Sequence, residues 1–244
     1  MGALPRPEKR EGVVRTLVRA SVAAVVVVMA VACTPSGGGS KSADRASSST
    51  VVPSAPAGDI PVGPGPKATY QVQPQPAPGS CHYRHTPAGE PLPDVACTPG
   101  ALSPAVSQAN LAQTICKTGG YTSGIRPPAS ITGKEKAENA KSYGYTGPMG
   151  DAEYDHLISL QLGGDPNDAR NLWAQPPSPG HVPGKGPNNP KDSVETHLHT
   201  AICKGQVTLA AAQHAIATDW TTAESVLGLK PAPAGSAAAD ADGD

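Results

Sequence analysis

The sequence predicts one small α+β domain that is supported by disulfide bonds, and three observations indicate this fold class. Apolar residues alternate at 158–162, before a Gly-Gly pair and a second short apolar run, a pattern typical of a β-hairpin. An amphipathic helix pattern follows at 191–203. The chain contains five cysteines, two Trp and no Phe. Its apolar core must therefore be small, and small cores in exported proteins are commonly supported by disulfides.

The predicted hairpin brings three polar side chains close together. The period-two apolar run at 158–162 fits a half-buried strand, and Gly163-Gly164 supplies the permissive backbone of a turn. Asp155 and His156 then lie at the mouth of one strand, and Asn171 lies on the returning side within reach of the imidazole. The amide oxygen of Asn171 can accept the proton of one ring nitrogen, which leaves the other ring nitrogen as a general base.

The helix pattern adds further candidate ligands. Asn189 is a suitable cap and Pro190 a suitable first residue for this helix. Glu195 and His199 are four residues apart, so they lie one turn above each other and can grip one ion, whereas His197 projects to a different side and is the weaker candidate. The buried face is predicted to consist of Val194, Leu198, Ala201 and Ile202.

These residues resemble the His-Asn-His nucleases of the ββα-metal (His-Me finger, HNH) class. The resemblance spans residues 143–220 and is densest at 154–173 and 191–203. It implies an endonuclease that hydrolyses phosphodiester bonds of DNA or RNA, on a hairpin that carries the base and a helix that completes a metal site. The Pro- and Gly-rich segment 176–190 between hairpin and helix departs from the family pattern because it is long.

The resemblance also implies a role for each candidate residue. His156 would be the base and Asn171 its orienter, with Asp155 and His199 as metal ligands and Glu195 as a third ligand, direct or through water. The implied cofactor is one divalent metal ion, Mg²⁺ first, although His and carboxylate ligands also suit Mn²⁺, Ni²⁺ and Zn²⁺.

Less specific interpretations of the same residues stay open. A Glu-His pair at this helical spacing is commonly a solvated pair, His156 can cap a strand, and Asn171 can be turn chemistry. The alternative is a catalytically inactive cell-surface binding or structural lipoprotein on the same scaffold. A hydrolase of another phosphate ester, or a cell-wall enzyme, is a further alternative.

The N-terminal region predicts export. Residues 1–32 have a basic start and a short uncharged core, as in a signal peptide, and they end at Ala-Val-Ala before Cys33. This looks like a lipoprotein signal with a lipid on Cys33, and an ordinary secretory signal is the alternative. We expect a disordered tether at 33–80, the nuclease-like domain at 81–230, and a disordered tail at 231–244. The domain would lie on the outer side of the cytoplasmic membrane or be secreted.

The four remaining cysteines fit two disulfides, with three possible pairings. We favour Cys81–Cys97, which closes a local loop, and Cys116–Cys203, which ties the N-terminal part of the domain to the ligand helix. The second bridge closes a long loop and is worth about 4–5 kcal/mol in the chain-entropy model. Zinc binding is a poor alternative because the chain has no Cys-x-x-Cys pair and the compartment is oxidising.

Charge gives weaker support for a nucleic-acid partner. The formal net charge is −1 and the sequence pI is about 6.6, whereas nonspecific nucleic-acid binders usually have a basic excess. Arg126 and Lys134 are candidates for phosphate contacts, although a solvated helix face explains them as well. The sequence has no nucleotide-cofactor motif and no serine-hydrolase nucleophile elbow.

We expect the protein to be a monomer.

Other elements are predicted with less pattern. Short helices are expected at 103–114 and at 134–142, the latter capped by Thr132, with loop or edge-strand structure at 119–122. A final helix is expected after Thr208 as its cap.

Overall fold

The computed structural model of the chain describes residues 59–231. The predictions for the signal peptide, the lipid on Cys33, the tether as far as residue 58 and the tail from residue 232 lie outside the described residues.

The described part is an α+β fold of small antiparallel sheets and helices, as predicted. Two separate two-stranded sheets are formed, β1 with β2 and β3 with β4. In chain order the elements are β1 (Arg84–His85), β2 (Pro91–Leu92), α1 (Tyr121–Ile125), α2 (Ala129–Ser142), β3 (Glu153–His156), β4 (Leu172–Gln175), α3 (Lys191–Cys203), α4 (Leu209–Thr218) and α5 (Ala223–Val226).

The predicted hairpin is present, but its first strand is earlier and shorter than expected. Strands β3 and β4 pair antiparallel, with Asp155 opposite Trp173 and His156 opposite Leu172. The prediction that the strand continues through 158–162 is wrong, because the backbone turns into a 3-10 helix at Leu160–Leu162. The alternation still marked burial correctly, since Ile158, Leu160 and Leu162 are all fully buried. The Ile158 backbone is held by the Asn171 side chain instead of by a neighbouring strand, and the Leu162 N–H donates to the Ser159 carbonyl within the 3-10 turn.

The main apolar core lies between the hairpin loop and the last three helices. Leu198 and Ile202 of α3 pack with Leu209 and Ile216 of α4 and with other buried residues of this cluster. The Thr208 hydroxyl accepts the Ala211 N–H, which confirms the predicted cap of α4. This cluster fixes the face of α3 that meets the hairpin.

Both predicted disulfides are confirmed: Cys81 is bonded to Cys97 and Cys116 to Cys203. The bridges are compatible with an extracellular protein. None of the helices between residues 59 and 231 has the length and hydropathy needed to cross a bilayer.

Next to Cys81, three aromatic rings form a second small core. Tyr83 stacks on Tyr143 with ring centroids 4.7 Å apart, and the Trp173 ring centroid lies 6.0 Å from that of Tyr83.

The folded domain begins earlier than the predicted boundary at residue 81. The Gly63 N–H donates to the Leu102 carbonyl, and the Gly65 N–H donates to buried Asp165 at 2.6 Å. The following Pro-rich stretch lies along α2, where the Gln73 N–H donates to Glu135 at 2.6 Å. Residues 59–80, which composition assigned to the tether, thus supply backbone donors to buried acceptors of the domain.

Three local predictions differ from the structure. Helix α2 begins at Ala129, directly after Pro128, whose extended backbone suits the residue before a helix, and Thr132 is a buried helical residue instead of the cap. A short helix, α1, begins at Tyr121, so only the first half of the loop or edge strand expected at 119–122 is a turn. Within 103–114, the only helical turn is the 3-10 turn Leu111–Gln113.

Candidate functional site

Asn171 is the anchor of the hairpin loop. Its side chain is fully buried, and its amide oxygen accepts the backbone N–H groups of Ile158 at 3.1 Å and Ala101 at 3.3 Å. Its amide nitrogen donates to the carbonyls of Ile158 at 2.9 Å and Asp165 at 3.0 Å. These bonds replace a strand partner for Ile158, which explains why the predicted strand stops at His156.

The close packing around Asn171 also accounts for one glycine. A Cβ atom on Gly164 would lie 1.7 Å from the Ile158 carbonyl oxygen and 2.8 Å from the Asn171 amide nitrogen. Only glycine leaves room for the backbone and the amide together.

His156 is oriented by a backbone carbonyl, and this corrects the predicted contact with the Asn171 amide. The ring is 2 % exposed, and its Nε2 lies 3.0 Å from the Pro166 carbonyl oxygen. A carbonyl only accepts, so Nε2 carries the proton in this contact. Nδ1 is buried and has no hydrogen-bond partner among the described residues. Asn171 therefore acts on His156 indirectly, by fixing the loop that presents Pro166.

Asp155 and Glu195 are brought together, as the ligand assignment requires, but a lysine lies between them. The Lys191 Nζ is 2.9 Å and 3.1 Å from the two carboxylate oxygens of Asp155, forms an ion pair with Glu195, and donates to the His156 carbonyl at 2.8 Å. The side chains of Lys191, Asp155 and Glu195 are at most 1 % exposed. We call these three residues the buried ion cluster.

The cluster keeps its lysine charged. Burial disfavours the ammonium form, but attraction by Asp155 and Glu195 outweighs this and raises the pKa of Lys191 above its ordinary value. The Trp173 indole N–H adds a hydrogen bond to Asp155 at 3.0 Å.

A divalent ion does not fit the same position while Lys191 occupies it. The ammonium nitrogen lies where the Asp155, Glu195 and His156 oxygens converge. Mg²⁺ binds oxygen ligands at about 2.1 Å. An ion bound to these oxygens would therefore overlap the ammonium group or be repelled by its positive charge. Within the buried ion cluster, the Lys191 ammonium is the cation that both carboxylates contact.

Asn189 and Glu153 connect the start of α3 to the hairpin. The Asn189 amide oxygen accepts the Lys191 N–H at 3.1 Å and the Gln175 side chain at 2.8 Å, although the helix begins at Lys191, one residue later than predicted, with Pro190 at the cap position. Its amide nitrogen donates to Glu153 at 2.7 Å. Burial, and then the nearby Asp155 charge, raises the pKa of Glu153 to about 8. This raised pKa favours the protonated form of Glu153, which lowers the negative charge beside Asp155.

His199 lies at the other end of α3, where its contacts are of a different kind. Its Nε2 is 2.7 Å from the Ile115 carbonyl oxygen and 3.4 Å from the Cys203 sulfur, and it lines a cavity of about 450 Å³ with Gln161 and Thr196. Its assignment as a ligand together with Asp155 stays a prediction.

The Cys116, His199 and Cys203 ligand atoms lie within 4.8 Å of one another and could hold a metal ion of undetermined identity. Because the two sulfurs are bonded to each other, they become thiolate ligands only after reduction.

The remaining candidates are exposed or partly buried residues away from the buried ion cluster. Lys134 is exposed on α2, and Arg126 is half-buried directly after α1. His197 pairs with the buried Glu224 of α5. The phosphate contacts expected of Arg126 and Lys134 stay predictions.

Sequence reasoning missed the two groups that define the site most directly. Pro166 contributes a backbone carbonyl, for which no side-chain pattern gives a signal. The helix pattern at 191–203 gives Lys191 no role of its own, although its spacing of four residues from Glu195 places both side chains on one face of the helix.

Comparisons of the chain with protein-family models, with curated proteins and with solved structures find no match.

Proposed function

We propose that this protein is a nuclease that hydrolyses phosphodiester bonds outside the cytoplasm, with His156 as general base. The observation that carries the proposal is the hydrogen bonding of the His156 ring. Its Nε2–H donates to the Pro166 carbonyl, and its Nδ1 has no hydrogen-bond partner among the described residues. A ring nitrogen fixed in direction and left with a lone pair is the group that a base-catalysed hydrolysis needs.

The chemistry assigned to His156 is one proton transfer. Nδ1 takes a proton from water as the water oxygen forms a bond to phosphorus, and the bond between phosphorus and the leaving oxygen breaks. The leaving oxygen then takes a proton from solvent. Asn171 contributes by holding the loop around Pro166. Because a divalent ion does not fit between Asp155 and Glu195 beside Lys191, no step is assigned to one.

Location outside the cytoplasm is supported by the signal-like residues 1–32 and by two disulfides in the described domain. A lipid on Cys33 would hold the domain at the membrane surface through the following Pro- and Gly-rich segment.

The test is nicking of supercoiled plasmid, and cleavage of single-stranded RNA, by the full chain and by His156→Ala. We expect the wild type to cleave at least one of these and the variant to lose more than 100-fold of the rate, as removal of a general base typically costs about 10²–10⁴. The matched control is His85→Ala, which removes an exposed histidine. Cleavage that survives in a folded His156→Ala variant contradicts the assignment.

A second candidate is a non-catalytic binding or structural domain on the same scaffold. It is favoured by the burial of His156 and by the buried ion cluster, in which Lys191 already has acceptors on three residues. This candidate predicts no cleavage of any nucleic acid, while His156→Ala lowers only the free energy of unfolding.

A further inference from the structure

The buried ion cluster has the composition of a metal site with an amino group in place of the metal. Two carboxylates and one backbone carbonyl point their oxygens at a common position, and the Lys191 Nζ lies there, 2.8–3.1 Å from Asp155 and His156 and in contact with Glu195. The accepting oxygens come from two elements distant in sequence, those of Asp155 and His156 from β3 and that of Glu195 from α3.

The coordination requirement fits an ammonium group. A Lys ammonium has three N–H donors, and three residues, Asp155, Glu195 and His156, supply acceptors. A divalent ion of the Mg²⁺ or Ca²⁺ type takes six or more oxygen ligands, usually including waters. The site is sealed, since Lys191, Asp155 and Glu195 are at most 1 % exposed.

We propose that the Lys191 ammonium is the permanent cation of this site, and that it takes the position between Asp155, Glu195 and the His156 carbonyl that a divalent metal would otherwise take. The domain then folds and keeps His156 in place without a metal at that position. Its extension to catalysis, a metal-independent cleavage, rests on the proposed function.

The geometry gives Lys191 a positioning role. Its Nζ bonds the carbonyl of His156 itself, so the cation fixes the backbone of the residue that carries the proposed base. On the other side of the same residue, the Pro166 carbonyl fixes the ring. Lys191 lies four residues before Glu195 on the same helix, so its ammonium contacts the Glu195 carboxylate when the helix forms. The cation of this site is therefore part of the chain and does not depend on the metal content of the surroundings.

The test is Mn²⁺ binding to the full chain, measured by isothermal titration calorimetry and by the shift of the thermal unfolding midpoint. Six proteins are compared: wild type, Lys191→Ala, the double variant Lys191→Ala/Asp155→Asn, the single variants Asp155→Asn and Glu195→Gln, and Lys204→Ala, which removes an exposed lysine just after the same helix. We expect no Asp155-dependent Mn²⁺ site in wild type or Lys204→Ala. Lys191→Ala should gain one equivalent of Mn²⁺ and a higher midpoint in its presence, and the double variant should lose both.

Two results would overturn the proposal: a stoichiometric Mn²⁺ site in wild type that Asp155→Asn removes, or a folded Lys191→Ala that gains no Mn²⁺ site. If Lys191→Ala does not fold, the comparison of wild type with Asp155→Asn and Glu195→Gln decides alone. Complete absence of nuclease activity would defeat the proposed function but leave these binding results, and therefore this inference, standing. Wild-type cleavage, where found, should persist in excess EDTA.

Discussion

The two ends of helix α3 are fastened to the domain by different bonds. At its first two turns, Lys191 and Glu195 form the buried ion cluster with Asp155 of β3. At its last turn, Cys203 is covalently bonded to Cys116, with His199 beside the bridge. The electrostatic end positions the hairpin that carries His156, whereas the covalent end ties the helix to a distant loop. The helix therefore carries a cation of its own, Lys191, at one end and a covalent bond at the other.

The largest expected effect concerns the covalent end. Cys116→Ser/Cys203→Ser removes a bridge with a sequence separation of 87, and the chain-entropy model gives a loss of about 4–5 kcal/mol in the free energy of unfolding. Cys81→Ser/Cys97→Ser removes a bridge with a separation of 16 and should lose about 3 kcal/mol. Urea titration of both double variants measures the difference. Equal losses of unfolding free energy in the two double variants would show that loop length does not determine how much each disulfide stabilises the domain.

The next largest effect concerns the electrostatic end. Lys191→Ala leaves two buried carboxylates without their cation, and breaking a buried ion pair in this way typically costs about 3–5 kcal/mol. Urea titration in the absence of divalent metals measures this loss, with Lys204→Ala as the control for an exposed lysine. A loss below about 1 kcal/mol, the range of surface ion pairs, would mean that the cluster contributes little to fixing α3.

A smaller, pH-dependent effect is expected at a buried carboxyl that, unlike Asp155 and Glu195, has no ion-pair partner within residues 59–231. Glu135 of α2 is fully buried and accepts the Gln73 N–H, and burial raises its pKa from 4.5 to about 7. A raised pKa means that the folded state binds the proton more tightly, so its stabilisation is complete below about pH 4.5 and is lost as pH rises through about 7.

We expect the wild type to lose on the order of 2 kcal/mol relative to Glu135→Gln between these pH values. Chemical denaturation of both proteins at pH 4.5, 6 and 8 measures the difference. A difference that does not change with pH would contradict a protonated Glu135.

The elements that sequence predicted well are those with local signals. Thr208 caps α4 through its own hydroxyl, and Asn189 accepts the first N–H of α3, as side chains of these types do. The two disulfide pairings followed from one short loop and from the cysteine at the end of the ligand helix. The hairpin was recognised from the Gly-Gly pair and the apolar runs, although its strand extent was not.

The elements that sequence missed depend on tertiary contacts. The apolar residues at 158–162 alternate as in a strand, but Asn171, which is distant in sequence, takes up the hydrogen bonds of Ile158. The Pro-rich residues before Cys81 have few apolar side chains, yet their backbone groups bond to Glu135 and Lys141 of α2. The role of Lys191 depends on which helical face meets Asp155, and composition carries no information on that.

The most direct test of the buried ion cluster is diffraction from crystals of the full chain soaked in Mn²⁺, with data collected at the manganese absorption edge. We expect no anomalous peak between Asp155 and Glu195 in the wild type, where density for the Lys191 ammonium should be seen, and a peak there in Lys191→Ala. A wild-type peak bound to Asp155 and Glu195, with the Lys191 side chain displaced, would contradict it.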